Sequence, residues 1–218
     1  MELKGKKILF LGDSITEGVG ASDVSKCFVS LIAKNEGAEC VNYGISGTRI
    51  ARQFKPSAEP MWDQDYLSRV PDMDEQADVV VVFGGTNDFG HGDTPLGRFE
   101  DRCVHTFYGA LHMLYASLIE KYPAADIVIL TPLHRLNEDN PYGDGFKAIP
   151  TAPLKTYVEI IREVAEYYSL PVLDLYAVSG MQPKVPVICQ KYMPDGLHPS
   201  DAGYEILARK IAQFLKAL

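Results

Sequence analysis

The sequence predicts a doubly wound α/β fold, with a five-stranded parallel sheet of strand order 2-1-3-4-5 between helical layers. Short apolar runs rich in β-branched residues alternate along the chain with longer stretches that have helical periodicity. Most of the apolar runs lack polar alternation, which indicates strands that are buried on both faces. With 218 residues, 46% of them hydrophobic, the chain is long enough for one substantial core, and we expect residues 1–218 to form a single domain.

Five apolar runs predict the strands, and each is short enough to be a strand rather than a helix. The first run contains Ile8-Leu9-Phe10-Leu11 and stops directly at Gly12. Right-handed crossovers between parallel strands make the order 2-1-3-4-5 a natural arrangement. The five predicted strands are Lys7 to Leu11, Cys40 to Tyr43, Val79 to Phe83, Ile127 to Leu130 and Val172 to Leu175.

Three stretches between or after these runs have the clearest helical periodicity. One carries apolar residues at three- and four-residue steps from Phe99 to Leu118, with Cys103 and Phe107 between them. The other two predicted helices extend from Leu154 to Tyr168 and from Ala202 to Leu215. The stretch from Ala177 to Pro194 is expected to be irregular and long enough to bring the residues after it back towards strand 1.

Ligands of such sheets bind at the carboxyl ends of the strands, beside the switch point between strands 1 and 3. Three glycine-containing loops are predicted to meet there, namely residues 12–18 after strand 1, 44–48 after strand 2 and 84–88 after strand 3. The sequence therefore predicts a functional site built from these loops.

Ser14 lies in the first of these loops, directly after the first strand, and it has two interpretations. In one, Ser14-Ile15-Thr16-Glu17 is a capping box that starts a helix. In the other, the Ser14 hydroxyl is a nucleophile that needs a base to remove its proton. A candidate base exists, because Asp195-Gly196-Leu197-His198 supplies an imidazole and a carboxylate three residues apart.

The Asp195 and His198 pair also has two interpretations. The Asp195 carboxylate could orient the His198 imidazole as in a catalytic triad, or it could cap the last helix and leave His198 in solvent. Attack on an ester also requires donors for the oxyanion, for which the Ser14 and Gly47 amides and the Asn87 side chain are candidates. Individually, Gly47 and Asn87 are better explained by ordinary turns and caps, and it is their convergence with Ser14 that favours the oxyanion hole.

Together these blocks resemble the SGNH hydrolases, also called the GDSL esterase/lipase superfamily. The blocks are Gly12-Asp13-Ser14 with Glu17-Gly18, Gly47 in Gly-x-Ser-Gly, Asn87 in Gly-x-Asn-Asp, and Asp195-x-x-His198, in that order along the chain. The resemblance implies a flavodoxin-like three-layer α/β/α sandwich and no metal or organic cofactor. It also implies that Ser14 is the nucleophile, His198 the base and Asp195 its partner, with Ser14, Gly47 and Asn87 forming the oxyanion hole.

The expected activity is hydrolysis of carboxylic esters through an acyl-enzyme, with short acyl (acetyl) esters of a sugar or small metabolite as substrates. Lysophospholipid or thioester cleavage is the enzymatic alternative. A second class of function is a binding protein that holds a phosphate or flavin at a helix N-terminus, although the negative charges of Asp13 and Glu17 disfavour phosphate there.

Asp13, Arg49 and His134 are further candidates for contact with substrate. Arg49 could bind an acidic substrate group or pair with a neighbouring carboxylate, and we favour the pairing. The long segments 51–76 and 135–150 carry several aromatic residues and are expected to shape the pocket or to form a subunit contact in a homo-oligomer.

The charge and cysteine patterns exclude several classes of partner. A net charge of −8 and the absence of basic runs argue against nucleic-acid binding. The first apolar stretch is too short for a signal peptide or a membrane span, so we expect a cytoplasmic protein that does not bind membranes. The four cysteines are widely spaced, which favours free thiols over a metal site or disulfides.

Overall fold

The predicted strands form one parallel sheet in the computed structural model, which describes residues 1–218. The strand order is β2-β1-β3-β4-β5 and every neighbouring pair is parallel, so the predicted topology is confirmed. Only the last strand is much shorter than predicted, because Asp174 caps a helix that begins at Leu175. The strands are β1 Lys7–Gly12, β2 Glu39–Gly44, β3 Val79–Phe83, β4 Asp126–Leu130 and β5 Val172–Leu173.

Helices cover both faces of the sheet, as expected for a three-layer sandwich. They are α1 Ser14–Glu17, α2 Phe28–Glu36, α3 Tyr66–Arg69, α4 Thr86–His91, α5 Phe107–Lys121, α6 Leu154–Tyr167, α7 Leu175–Val178, α8 Pro186–Tyr192 and α9 Asp201–Ala217. Helices α2 and α9 pack together against one face, and α5 and α6 pack together against the other. None of these helices is long and apolar enough to cross a bilayer.

The sheet divides the buried side chains into two hydrophobic cores. In β1, Leu9 and Leu11 belong to the core beneath α5 and α6, whereas Ile8 and Phe10 belong to the core beneath α2 and α9. This division follows from the two-residue periodicity of a strand, which sends successive side chains to opposite faces. Both faces of β1 are therefore apolar, and the strand shows no polar alternation in sequence.

Helix α5 begins at Phe107, so the prediction that the helix extends back to Phe99 was wrong. The Thr106 hydroxyl accepts a hydrogen bond from the Gly109 amide and caps α5 at this point. The Phe107 amide donates to the Pro95 carbonyl, which folds the preceding segment back beside the first turn. Phe99 still packs against this helix, with its ring edge-on to His112, although it is not part of the helix.

The stretch from Ala177 to Pro194 is also more regular than predicted, because it contains the end of α7 and all of α8. Pro186 occupies the first turn of α8, where its missing N–H breaks no helical bond. Residues 51–76 contain α3 and two short 3₁₀ turns, Pro60–Asp63 and Val70–Asp72, and residues 135–150 contain neither helix nor strand. The 51–76 segment ends at the amino edge of the sheet, where Asp74 pairs with Lys7 at the start of β1.

Candidate active site

Ser14 lies at the exit of β1, in the first turn of α1, and is only 6% exposed. Gly12 permits the turn, because a Cβ at that position would overlap the Thr16 side chain. The capping-box interpretation is wrong, since the residue that caps α1 is Asp13, whose carboxylate accepts a hydrogen bond from the Ile15 amide. The Glu17 carboxylate instead accepts bonds from the Ser46 amide and hydroxyl, and so ties the loop after β2 to α1.

The His198 ring lies between Ser14 and Asp195. Its Nε2 atom is 3.0 Å from Ser14 Oγ, and its Nδ1 atom is 2.6 Å from Asp195 Oδ2. The other carboxylate oxygen of Asp195 accepts hydrogen bonds from the Leu197 and His198 amides. The structure thus brings the three predicted residues together, and α9 is capped by Ser200 rather than by Asp195.

The surroundings of Asp195 favour its ionised form. Partial burial by itself would raise the pKa of this carboxyl, but the hydrogen bonds from the His198 ring and from the two backbone amides outweigh it. The resulting pKa lies below the ordinary value for an aspartate. Asp195 is therefore a carboxylate at neutral pH and can accept a hydrogen bond from His198 Nδ1–H.

Asp13 lies beneath Ser14 and is 1% exposed. Burial raises the pKa of Asp13 to about 6, although the hydrogen bond from the Ile15 amide and the charges of His198 and Arg69 act in the opposite direction. This degree of burial leaves little carboxylate surface for a substrate, so the contact made by Asp13 in the structure is with the backbone of α1. It also places a negative charge close to the His198 ring.

Gly47 and Asn87 come together beside this group. The Asn87 side-chain amide donates to the Thr48 carbonyl at 3.0 Å, which joins the start of α4 to the loop after β2. Gly47 has a φ of +74°, and a Cβ there would overlap the Trp62 ring. Neither the Ser14 nor the Gly47 amide donates a hydrogen bond to another protein group, so both remain free as donors.

Three charged residues that were not predicted as site residues hold α4 in place; Asp88 and Arg135 are buried, and Lys147 is half-buried. The Asp88 carboxylate accepts hydrogen bonds from the Ile50 and Ala51 amides, and burial raises its pKa. Arg135 donates to the Thr86 carbonyl and hydroxyl and pairs with Asp144. At the other end of α4, the Lys147 ammonium donates to the carbonyls of Asp88 and Gly92.

Arg49 is buried and pairs with Asp63 at 2.8 Å, which is the second of the two alternatives considered for it. Its Nη2 also donates to Ser57 Oγ and to the Trp62 carbonyl, and its Nη1 lies 3.3 Å from His91 Nδ1. Burial, together with the neighbouring cations, lowers the pKa of His91 to about 3. His91 is therefore neutral, and its proton is on Nε2 because Nδ1 faces the guanidinium.

His134 is held by side chains other than those of the triad. Its Nδ1 lies 2.7 Å from the Glu138 carboxylate and 2.9 Å from the Gln182 amide nitrogen, and its ring packs on Tyr176. Two residues later, the Leu136 amide donates to the Gly196 carbonyl, so this segment adjoins the loop of Asp195 and His198. The structure contains no group of three or more His, Cys, Asp or Glu residues arranged to hold a metal ion.

Comparison with known proteins identifies relatives of this chain in structure and in sequence. A protein of Lactobacillus plantarum has a crystal structure with a TM-score of 0.83, 32% identity and 98% coverage of both chains. The lipase/acylhydrolase of Enterococcus faecalis has a TM-score of 0.68 and 26% identity, and the match covers 97% of this chain and 96% of that one.

Two proteins named as esterases are similar in sequence. An acetylxylan esterase of Geobacillus stearothermophilus is 24% identical over 94% of this chain and 91% of its own length. A multidomain esterase of Ruminococcus flavefaciens is 25% identical over 97% of this chain, which spans only 29% of that larger protein. The model of the GDSL-like lipase/acylhydrolase family matches residues 10–206, which is most of the chain. The chain therefore belongs to the GDSL-like lipase/acylhydrolase family and is a carboxylic ester hydrolase.

Proposed function

We propose that this protein hydrolyses esters by nucleophilic catalysis at Ser14, with His198 as general base and Asp195 as its orienting carboxylate. The observation that carries the proposal is the continuous contact from Ser14 Oγ to His198 Nε2 and from His198 Nδ1 to Asp195 Oδ2, at 3.0 and 2.6 Å. These distances are within hydrogen-bond reach for a nucleophile, its base and the group that orients the base.

In the first half of the reaction, Ser14 Oγ attacks the ester carbonyl carbon while its proton passes to His198 Nε2. The negative oxygen of the tetrahedral intermediate accepts hydrogen bonds from the Ser14 and Gly47 amides and from Asn87. The Ser14 and Gly47 amides have no other protein acceptor, which supports this role. When the bond to the alcohol oxygen breaks, His198 returns the proton to that oxygen and the acyl group stays on Ser14.

In the second half, water enters where the alcohol left. His198 Nε2 takes one of its protons, the hydroxyl oxygen bonds to the acyl carbon, and the bond to Ser14 Oγ breaks. The carboxylic acid leaves and the serine recovers its proton. Throughout both halves, Asp195 remains ionised and stabilises the imidazolium through Nδ1–H, as the lowered pKa of this carboxyl favours.

For the substrate, we propose short acyl esters, chiefly acetyl esters, of a sugar or a small metabolite. The acetylxylan esterase among the relatives supports an acetylated carbohydrate. Binding of a phosphate or flavin at the N-terminus of α1 is disfavoured, because the Asp13 carboxylate already occupies that position and accepts a hydrogen bond from the Ile15 amide. Lysophospholipids carry a long acyl chain, and thioesters have a thiol leaving group. Assays with both kinds of substrate distinguish these activities from hydrolysis of short esters.

The test is initial hydrolysis of p-nitrophenyl acetate by wild type and by Ser14→Ala, purified side by side. We expect the variant to lose roughly four to six orders of magnitude in kcat, because the three residues act as a unit. Circular dichroism and thermal unfolding should match wild type, since the Ser14 side chain bonds only to His198 and the bonds to its carbonyl are kept in the variant. Equal turnover by the two proteins would exclude Ser14 as the nucleophile. Turnover that depends on Ser14 would justify extending the assay to acetylated xylo-oligosaccharides.

A further inference from the structure

Trp62 and His91 form a rigid aromatic surface directly beside the proposed oxyanion donors, and we call this pair the acyl wall. The Trp62 ring packs on Gly47 closely enough that no Cβ fits there. Its centroid lies 5.0 Å from that of His91, with the two planes inclined at 40°. His91 follows Asn87 by four residues on α4, so both side chains lie on the same face of that helix.

The packing of neighbouring residues indicates that the acyl wall and His198 lie on opposite sides of Ser14. The His198 loop leads into α9, which packs on the core beneath α2 and α9. Trp62 stands four residues before Tyr66, which belongs to the core on the opposite face of the sheet, beneath α5 and α6. Ser14 follows the end of β1, an inner strand of the sheet that contributes side chains to both cores, and so lies between these two sides.

The chemistry of the proposed reaction assigns a part of the substrate to each side. The alcohol oxygen must lie next to His198 Nε2, because that nitrogen protonates it. The carbonyl oxygen must face Ser14, Gly47 and Asn87. The remaining substituent on the reacting carbon is the acyl chain, which is directed away from the alcohol and hence away from His198.

From this geometry we infer that Trp62 and His91 close the acyl side of the site and restrict the substrate to acyl groups about as small as acetyl. The inference rests on the proposed function and adds the residues that select the acyl group. A side chain that blocks a pocket selects by sterics, and the discrimination against each added methylene is set by how firmly the block is held.

The acyl wall is held firmly, and Arg49 is the residue that holds it. The buried guanidinium contacts both members of the pair, through Nη2 to the Trp62 carbonyl at 3.1 Å and through Nη1 to His91 Nδ1 at 3.3 Å. Asp63 and Ser57 fix the guanidinium itself, at 2.8 and 2.6 Å. Arg49 thus acts as a positioning residue, and it contributes to selectivity without touching the substrate.

The test is the acyl-length profile of p-nitrophenyl acetate, butyrate and hexanoate, expressed as the ratio of kcat/KM for hexanoate to that for acetate. We expect wild type to prefer acetate at least tenfold, and Trp62→Ala to raise the hexanoate-to-acetate ratio by about tenfold or more. The ratio is the proper readout, because a loosened Gly47 loop would slow all esters alike and leave it unchanged.

Three further variants make the test decisive. His91→Ala should raise the hexanoate-to-acetate ratio as Trp62→Ala does, and it leaves the packing of Trp62 on Gly47 in place. Arg49→Lys should raise it by a smaller factor, because one ammonium cannot serve both Trp62 and His91 as the guanidinium fork does. The matched control is Phe54→Ala, which removes an aromatic ring from the same segment, where it stacks on His105 rather than on the site.

The outcomes separate this inference from the proposed function. Loss of all turnover in Ser14→Ala with a raised ratio in Trp62→Ala and His91→Ala supports both. Serine-dependent turnover with an unchanged ratio in both wall variants, or with a wild type that prefers hexanoate, overturns the acyl wall alone. Turnover that does not depend on Ser14 overturns the proposed function.

Discussion

The two sides of the site are built in different ways. On the side that transfers the proton, the base and its carboxylate come from one short loop, because Asp195 bonds to residues two and three positions further along the chain, and its side chain is 54% exposed. The side that would stabilise the oxyanion is assembled from distant segments. Asn87 is 5% exposed and bonds to Thr48, 39 residues away, and Arg135 reaches α4 across 49 residues.

The difference teaches that the two sides should fail in different ways. A change on the proton-transfer side removes a chemical group and leaves its surroundings intact, since solvent can replace lost contacts. A change in the buried side disturbs several segments at once, because a buried polar group left without its partner is costly. Activity and stability should therefore be separable on the proton-transfer side and coupled on the oxyanion side.

The largest effect is expected from Asp195→Asn. The asparagine retains the shape of the side chain but cannot hold the His198 tautomer that accepts from Ser14 or stabilise an imidazolium, so kcat should fall by about 10³- to 10⁴-fold. The thermal unfolding midpoint should change little, because this side chain is half exposed. Asp139→Asn, which alters the net charge equally at an exposed position, is the control. A stable protein with near-normal kcat would exclude the orienting role.

The next largest effect on turnover is expected from Asn87→Ala. Removal of this donor is expected to lower kcat by about 10²- to 10³-fold, because the Ser14 and Gly47 amides remain. The same variant should also unfold at lower temperature than wild type, since the Thr48 carbonyl loses its partner. Asn87→Asp, of equal size, should be at least as impaired in kcat because it replaces the donor with a negative charge. Full activity in either variant would remove Asn87 from the oxyanion hole.

Asp13→Asn tests the buried charge between the two sides. Because burial raises the pKa of Asp13 from 3.8 to about 6, the folded state binds its proton more tightly than the unfolded chain does. Ionisation of Asp13 therefore destabilises the fold progressively as pH rises from about 4 to above 6, by about 3 kcal/mol in all. Asparagine keeps an acceptor for the Ile15 amide without a charge. Urea unfolding should show the variant to be the more stable protein at pH 7.5, with no such advantage at pH 3.5. A free energy of unfolding with the same pH dependence in both proteins would contradict this.

The smallest effect on turnover is expected from Arg135→Met. Loss of the bonds to the Thr86 carbonyl and hydroxyl should let the first turn of α4 shift, so that Asn87 is less well aimed. We expect kcat to fall by about tenfold, as for the loss of roughly 1.4 kcal/mol of transition-state stabilisation, with KM nearly unchanged. Arg135→Lys should not restore kcat, because Arg135 uses two separate nitrogens for Thr86 and Asp144. A rise in KM at constant kcat would instead indicate a substrate contact.

The same contrast explains what could be predicted from sequence. The strands were identified because apolar runs such as Val79–Phe83 are buried on both faces, and the strand order then placed the three loops at one edge. Asp195 and His198 were recognisable as a pair because their contact spans three residues. Ser14 was found at the end of the first strand, and the structure places it within reach of His198.

The features that were missed depend on contacts that leave no local pattern. The start of α5 was predicted too early, because the apolar spacing continues through Phe99 and Cys103 although Thr106 caps the helix. Arg135 and Lys147 looked like ordinary loop residues, and only the folded chain brings them to α4. Trp62 and His91 are 29 positions apart, and no periodicity connects a segment before β3 with a helix after it.

The separation of the two cores by the sheet has a consequence for how this enzyme can change. Proton transfer depends on a loop that leads into the core under α2 and α9, whereas the segment that contains Trp62 leads into the other core at Tyr66. Substitutions more than about 10 Å apart without shared partners usually act additively. A mutant library confined to the segment around Trp62 should therefore yield enzymes with new substrate ranges in which the contacts among Ser14, His198 and Asp195 are intact.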